Sequence, residues 1–452
     1  MDKILHGGLP KGATTLIVGR PGAGKTVLAH QMVFHNATSD SKVVYFTTLA
    51  EPLVKVIKYQ QEFSFFDNDK FQDCVIYQDL GSVLRKHGVA KSLELIDDLL
   101  KKHEPRIVII DSIKTISDIL YSIMECREFL LDLSLRLTTW GCTTLLLAEY
   151  SEEDIEIRPE GAIADGIIFL SGAEEKKRQR RFLRILKMRG TGYVGGEIVF
   201  QITENGLELF LRLNPIVSDQ EYKHFEERIS TGIPGLDEMT GGGIPLDTTT
   251  LISGSSGTGK TIIALHFAYA GLLNGEDIVY VTFEENPLQI IKRSFHLGLD
   301  LQPYVEGGQL HMIHVSPIEL NVDEHVYHIQ KTVQESGAKR LIVDSISSFE
   351  VGMEDKGKYT DYIWAMTDYF KTQGISIFLT HEMRNYDDAS TLTKHGISYI
   401  ADNLLVLRFI EQGMDIKRYL RVLKMRGCKH SFEMRVLHID SKGVTLGENA
   451  NP

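Results

Sequence analysis

At 452 residues the chain is too long for one ordinary hydrophobic core and fits two domains of about 220 residues each. Its 43% hydrophobic and 24% charged content is that of a soluble globular protein, and no apolar run is long enough to span a bilayer. A net charge of −12 disfavours a nucleic-acid binder, whose contact face is normally basic. Met1 runs straight into a Gly-Gly-Leu-Pro turn with no signal peptide, and Cys74, Cys126, Cys142 and Cys428 show no metal or redox spacing, so a reduced cytoplasmic protein is expected.

The first informative stretch is Gly19-Arg20-Pro21-Gly22-Ala23-Gly24-Lys25-Thr26, which follows the apolar strand Thr15–Val18 and precedes a helical pattern. Strand, glycine loop, Lys-Thr and helix form a phosphate-binding P-loop. Glycines let successive backbone N–H groups curl around a polyphosphate, and the helix N-terminus adds its positive dipole end. The phosphate contacts expected are Gly22, Ala23, Gly24, Lys25, Thr26 and Val27, with the Thr26 hydroxyl on Mg²⁺. Further strands are predicted at Val43–Thr47, Ile107–Ile110, Thr144–Ala148 and Gly166–Leu170, with helices at Ser92–Lys102 and Cys126–Leu137 between them. Nearly all these strands are short continuous apolar runs, as expected when both faces of a parallel sheet are buried. A hairpin follows, from Gly166–Leu170 through a turn at Glu174–Arg181 into Leu183–Lys187. The basic run Lys176–Arg181 then reads as a solvated turn rather than a nucleic-acid contact.

Residues 214–228, polar and charged with Pro215 near their start, read as a linker. The chain then repeats itself. Gly254–Thr261 is a second P-loop 235 residues after the first, between Thr250–Ser253 and the helical run Ile262–Ala270. Its phosphate contacts are Gly257, Thr258, Gly259, Lys260, Thr261 and Ile262. Asp2–Pro10 lines up with Asp237–Pro245, Ile107–Ser112 with Arg340–Ser345, and Leu186–Gly190 with Leu423–Gly427, so the chain reads as a tandem duplication. The domains expected are 1–213 and 229–452. Each is a mostly parallel, doubly wound α/β sheet flanked by helices, with an antiparallel hairpin at its end; the second hairpin turns at Glu411–Asp415. The last predicted strand is Val436–Ile439. Ile229–Asp237 opens the second copy and has no counterpart in the first, whose start is either short or trimmed.

Asp111 and Asp344 each end an apolar strand. With a P-loop in the same domain, the preferred reading is a carboxylate that binds Mg²⁺ through water beside Thr26 or Thr261. Glu284 and Glu285 follow the strand Tyr280–Phe283, where one carboxylate can activate water and the other support it. The first copy carries Leu49 and Ala50 at those places and Glu51 one position later. A one-residue shift turns a side chain to the other face, so slow or absent hydrolysis is expected there. Lys187, Met188 and Arg189, and Lys424, Met425 and Arg426, form matching Lys-Met-Arg-Gly strand ends whose cations have no obvious local acidic partner. Phosphoryl transfer needs such cations, from the same chain or from a neighbour in a ring. The sixteen histidines show no metal-ligand spacing, so no metal beyond Mg²⁺ is expected.

With these motifs in place, two fused RecA-like domains, each with a Gly-Gly-x-Pro turn, a P-loop, a strand ending in Asp-Ser and a Lys-Met-Arg-Gly strand, resemble the KaiC family of circadian-clock ATPases and autokinases. The resemblance covers essentially the whole chain. It implies a double-ring homohexamer with ATP at subunit interfaces in both rings. It assigns Lys187–Arg189, Arg418 and Lys424–Arg426 to nucleotide contacts, and the glutamate pair to water activation and autophosphorylation. It places Leu297 where the family stacks a tryptophan on adenine. It matches Ser398 to the family's phosphorylated serine, with Tyr399 in place of the following threonine and Thr393 five residues earlier. A serine autokinase and an unmodified helix residue both remain open readings at Ser398. A KaiB-like partner on the first domain is implied. A KaiA-like activator is not, because the chain stops at Pro452 without the tail that binds it. The competing readings are a RecA/RadA-like DNA-dependent ATPase and a nucleotide-sensing scaffold with weak hydrolysis.

Overall fold

The computed structural model describes residues 1–48, 53–120, 122–175, 178–213, 227–316, 322–352, 356–383, 397–412 and 414–449. The chain divides into two compact units, Met1–Leu211 and Arg212–Pro452. The strands of the first are β1 Thr14–Gly19, β2 Val43–Thr47, β3 Val75–Asp79, β4 Ile107–Asp111, β5 Thr143–Ala148, β6 Gly166–Glu175, β7 Arg178–Met188, β8 Ile198–Thr203 and β9 Gly206–Phe210. They form one sheet in the order β3-β2-β4-β5-β1-β6-β7-β8-β9, parallel as far as β6 and antiparallel beyond it. The second unit opens with a small ribbon of β10 Arg228–Ile229 and β11 Ile244–Pro245. Its main strands are β12 Thr249–Gly254, β13 Ile278–Thr282, β14 Leu310–His314, β15 Arg340–Asp344, β16 Ser376–Glu382, β17 Asn403–Gln412, β18 Asp415–Met425, β19 Met434–Asp440 and β20 Gly443–Asn449. Their order, β14-β13-β15-β16-β12-β17-β18-β19-β20, repeats that of the first sheet. Both units are therefore RecA-like α/β sheets with an antiparallel end.

Alternation along each apolar run explains the layering. Leu16, Val18, Val44, Phe46, Val108 and Ile110 point into a core beneath the helices Leu80–His103 and Ile123–Thr139. Ile17, Val43, Tyr45 and Ile109 point the other way, onto the P-loop helix Lys25–Asn36. Side chains alternate across a strand, so a run that is apolar at every position needs cover on both faces. The second unit does the same, with Leu251, Val279, Val281 and Leu341 on one side and Ile252, Ile278, Tyr280 and Ile342 on the other.

Several expectations are corrected. The hairpins do not turn where the polar residues begin: the ladders run on to Glu175↔Arg178 and Gln412↔Asp415, so Glu174–Glu175 and Arg178–Arg181 are strand residues. A ribbon wet on both sides carries no apolar alternation, and its polar composition resembles a turn. Four further strands, β3, β14, β9 and β20, close the outer edges of the sheets, and their mixed composition hid them. The helix predicted from Ser92 begins at Leu80, capped by the Asp79 carboxylate on the Ser82 N–H, and breaks at Gly88 in left-handed backbone. Residues 214–226 of the expected linker lie outside the described residues. Its last residue, Arg228, is already in β10, with its guanidinium on the carbonyls of Thr240 and Gly243 at 3.2 and 3.1 Å.

In the second unit the Arg340 side chain is fully buried. Arg340 donates from Nε and Nη2 to the Glu276 carboxylate at 2.6 and 2.9 Å and from Nη1 to the carbonyls of Ser230 and Phe267 at 3.1 and 2.9 Å. It fastens the opening segment of the unit to its core. At the matched strand position the first unit carries Ile107. Breaking a buried, fully bonded charge pair is costly because the remaining charge loses its partner. Arg340→Ala is expected to lower the unfolding free energy of the second unit by about 3–5 kcal/mol, read as a fall in its denaturant midpoint, with the first unit's transition unmoved.

Candidate nucleotide sites

Because β1 and β12 lie inside parallel sheets, their carboxyl ends open toward the same edge as those of their neighbours. Gly19 of the first P-loop and Gly254 of the second fall there, beside Leu170 and Leu407 of the next strand. Gly22, Gly24, Gly257 and Gly259 all take positive φ, between 76° and 107°, which a side chain would strain. A Cβ on Gly24 would also meet Ile202 at 3.0 Å, and one on Gly259 would meet Ile439 at 2.9 Å. The helices Lys25–Asn36 and Lys260–Leu273 begin directly at these glycines with no side-chain cap and no acidic residue in the first turn. Their first N–H groups are thus left for an anion.

Each lysine folds back over its loop. Lys25 Nζ donates to the carbonyls of Gly19 and Arg20 at 2.9 and 3.0 Å, and Lys260 Nζ to those of Gly254 and Ser255, both at 2.9 Å. Burial pushes both ammonium pKa values down, while the nearby carboxylates oppose it. The Thr258 hydroxyl, fully buried, closes the second loop on the Ser255 carbonyl at 2.8 Å. Val27 and Ile262, next along each helix, pack partly into the core, and Ala23 is buried against Gly19. A cradle of backbone donors around one ammonium fits a polyphosphate.

The carboxylates converge on the same edge. Asp111 Oδ2 accepts from the Thr26 hydroxyl at 3.1 Å and the Tyr45 hydroxyl at 2.8 Å. Burial raises its pKa, and the two hydroxyls and Lys25 work against that rise. Asp344 accepts from the Tyr280 hydroxyl at 3.0 Å on Oδ2 and from the Thr380 hydroxyl on Oδ1. The peptide bond after each aspartate is cis. A threonine hydroxyl and a carboxylate at the mouth of a phosphate cradle are a donor set suited to Mg²⁺. Glu284 stands beside the second loop with its pKa raised, first by burial and then by Glu382, Asp344 and Glu285. Glu285 is tied back by Arg293 at 2.7 Å. Glu51, Leu49 and Ala50 lie outside the described residues, as does Thr393.

The remaining expected contacts are spread out. Arg418 reaches its own P-loop, donating from Nε to the Gly257 carbonyl at 3.2 Å with its guanidinium 5.5 Å over the Phe409 ring. Leu297, half-buried, closes the helix Pro287–His296. Ser398 belongs to the short helix Ile397–Ile400. The Lys-Met-Arg-Gly ends lie at the opposite edge of each sheet, where Met188 pairs with Gly166 and Met425 with Asn403 at the starts of β6 and β17. Met425 is a core residue, and Met188 packs partly against the other core. The cations do have acidic partners, contrary to the sequence reading: Arg189 meets Asp165 at 3.4 Å and Arg426 meets Asp402 at 3.6 Å. Strand pairing supplies those partners from 24 residues away in each unit.

Sequence reasoning missed Glu149 and Glu382, which stand next to Gly19 and Gly254 at the ends of β5 and β16 and are the largest charge influence on Lys25 and Lys260. It also missed Tyr45 and Tyr280. The glutamates share the 233-residue spacing of Asp111 and Asp344, and the tyrosines share that of the P-loops, so the repeat held the signal. Among the described residues, no three or more His, Cys, Asp or Glu side chains group so as to hold a metal ion, and no helix is long and apolar enough to cross a membrane.

Two P-loop sites on two RecA-like sheets define a tandem P-loop ATPase. The family model of the KaiC ATPase matches residues 1–213 and again 229–451, so the chain belongs to the KaiC ATPase family. It is 29% identical over 462 residues to the circadian clock oscillator protein KaiC of Rippkaea orientalis, covering 99% of this chain and 87% of the relative. The same-named protein of Thermostichus vulcanus is also 29% identical, over 99% of this chain and 88% of its own. The circadian clock protein KaiC3 of a Synechocystis species is 29% identical, over 99% and 90%.

His30, one turn beyond Thr26, bonds the Thr26 carbonyl at 2.8 Å through Nδ1 and stacks on Tyr45 with ring centroids 4.7 Å apart. Its Nε2 is buried with no partner, and burial pushes its pKa down to about 4. The unfolded chain takes up this proton near pH 6.5 and the folded one only near 4, so stability is complete above pH 6.5 and falls as pH drops through that window. The first unit is expected to lose about 3 kcal/mol between pH 7 and pH 4 from this group. His30→Leu, the residue at the matched position 265, is expected to flatten that slope in denaturant titrations at several pH values.

Proposed function

We propose that this chain is a cytoplasmic KaiC-type ATPase with domains 1–213 and 229–452 joined by 214–228. It would bind MgATP at both P-loops, assemble as a double-ring homohexamer and phosphorylate itself on Ser398. The observation that carries the shared-site part is the position of the Lys-Met-Arg-Gly cations. Strand register separates Met188 and Met425 from Gly19 and Gly254 of their own P-loops by four residues of β1 or β12, about 13 Å at ~3.3 Å per residue. Cations so placed serve phosphates best on a neighbour, and head-to-tail contacts of that kind close into rings.

In each site the P-loop lysine would neutralise the β- and γ-phosphates, and the loop threonine with Asp111 or Asp344 would hold Mg²⁺, which supplies charge neutralisation at the γ-phosphate. Glu284 would orient the attacking water and take its proton. Its raised proton affinity makes it a better proton acceptor than an ordinary carboxylate, and Glu285, braced by Arg293, would support it. The same carboxylates would take the proton of a neighbour's Ser398 hydroxyl. The first domain, with Leu49 and Ala50 in place of the pair and Glu51 next to them, would turn over more slowly and present a surface for a KaiB-like partner. The names of the relatives place them in the circadian clock, and that kinship supports a timing or signalling role for this chain.

Incubation with ATP and Mg²⁺ is expected to give a six-chain species by light scattering and phosphate on Ser398, not Tyr399, by mass spectrometry. Glu284→Gln with Glu285→Gln is expected to lower turnover by the second domain ~100-fold or more; full activity in that double variant would refute the assignment. Filter binding to single-stranded DNA at two salt concentrations is expected to show no retention. Strong, salt-dependent retention would favour the recombinase reading instead.

A further inference from the structure

One aspartate makes the same set of bonds in both units. Asp165 and Thr14 exchange two bonds: the Thr14 N–H donates to Asp165 Oδ2 at 3.1 Å, and the Asp165 N–H donates to the Thr14 carbonyl at 2.8 Å. Asp402 and Thr249 do the same at 3.0 and 2.9 Å. The other oxygen of each carboxylate faces the cation of the Lys-Met-Arg-Gly end, Arg189 Nη1 at 3.4 Å and Arg426 Nη1 at 3.6 Å. Each aspartate carbonyl also accepts the backbone N–H of the same arginine at 3.0 Å. The lysines two positions earlier rest on carbonyls close by: Lys187 on Gly161 at 3.3 Å and Lys424 on Ala401 at 2.7 Å. Arg426 Nη2 adds the Tyr399 carbonyl at 3.0 Å.

Thr14 and Thr249 are the first residues of the P-loop strands. A single carboxylate thus grips the start of the strand that carries the phosphate loop and, with its other oxygen, the arginine on the hairpin. Both arginine side chains stay more than half exposed, at 64% and 52%, so their outer faces remain open to a second ligand. In the second unit the grip is tightened by Lys371 Nζ, 2.8 Å from Asp402 Oδ2 and almost as buried as the carboxylate itself.

We propose that Asp165 and Asp402 are positioning residues that register the Lys-Met-Arg-Gly cations to the rigid sheet and so aim them at the nucleotide of the adjacent subunit. The proposal rests on the shared-site reading above. Long cationic side chains lose their entropy when fixed, and a carboxylate that holds the guanidinium beforehand removes part of that cost from the transition state. The aspartate need touch neither nucleotide. It acts through the arginine, and its effect belongs to the neighbour's turnover rather than to its own site.

That directionality makes the test. Asp402→Asn keeps an oxygen for the Thr249 N–H and loses the charge that holds Arg426. It is expected to assemble normally, keep its KM for ATP within about twofold, and lower second-domain turnover ~10- to 100-fold. Lys260→Ala removes the phosphate lysine and leaves the arginine in place. Co-expressed in equal amounts, the two variants are expected to recover about one-quarter of the wild-type second-domain turnover, because about one junction in four pairs an intact loop with an intact cation. The chain carrying both substitutions measures the first domain's contribution, which is subtracted. Wild-type turnover in Asp402→Asn alone overturns the proposal. So does a mixture no more active than its parts while Arg426→Ala mixed with Lys260→Ala does recover. If that last pair also fails to recover, the shared-site reading falls and this proposal falls with it. Should Asp402→Asn not assemble, Asp165→Asn with Lys25→Ala decides the question in the first domain, where the carboxylate is 35% exposed and better able to lose its charge.

Discussion

The structure depends on burying one strand completely. β1 and β12 are paired on both edges and covered on both faces, so their backbone cannot shift without breaking two ladders at once. This rigidity fixes where the chain leaves the sheet. The glycine loop then has no freedom to wander, and the helix that follows starts with its N–H groups facing the same opening. Asp111 and Asp344 reach that opening because β4 and β15 stand two strands along, beyond β5 and β16, in parallel register. The site is therefore a property of the sheet edge before it is a property of any side chain.

The same register separates the two ends of the machinery. β7 and β18 run antiparallel to the strands that precede them, so they finish where those strands begin. A cation at the end of such a strand lies on the far edge from its own phosphate loop. Arg418 shows the contrast, since it sits near the start of β18 and reaches Gly257 in its own unit. Position along one hairpin strand thus separates a cation that faces its own loop from one that faces away.

How much of this was legible follows the same physics. Strands buried on both faces are apolar at every position, so β1, β2, β4 and β5 could be read almost to the residue. The outer strands β3, β14, β9 and β20 alternate or mix their residues and gave no such run. The P-loops were legible because backbone geometry dictates their glycines. Tyr45, Asp165, Glu149 and their second-unit counterparts were not read, because each acts across the sheet on a partner distant in sequence. The sequence shows no local acidic partner for the arginines for this reason: Asp165 and Asp402 stand at the far end of the hairpin from them in sequence and beside them in space. A duplicated chain offers one remedy, since Ile163-Ala164-Asp165 and Ile400-Ala401-Asp402 repeat as clearly as the motifs that were noticed.

Duplication also shows where the halves have parted. At the ends of the central strands the first unit has Val18, Leu147 and Ala148, and the second has Ser253, Thr380 and His381 at the same register positions. The second set forms bonds that the first cannot. The Ser253 hydroxyl meets His381 Nδ1 at 3.1 Å, and Thr380 holds the Asp344 oxygen that Tyr280 leaves. Asp344 is thereby held at both oxygens. At Asp111 the Tyr45 and Thr26 hydroxyls both bond Oδ2. A carboxylate held at both oxygens cannot rotate freely. The second site is the more preorganised of the two, and it is also the one whose adjoining strand ends in the paired glutamates. Polar residues at three buried positions and two carboxylates at a strand end thus set the second copy of the sheet apart from the first.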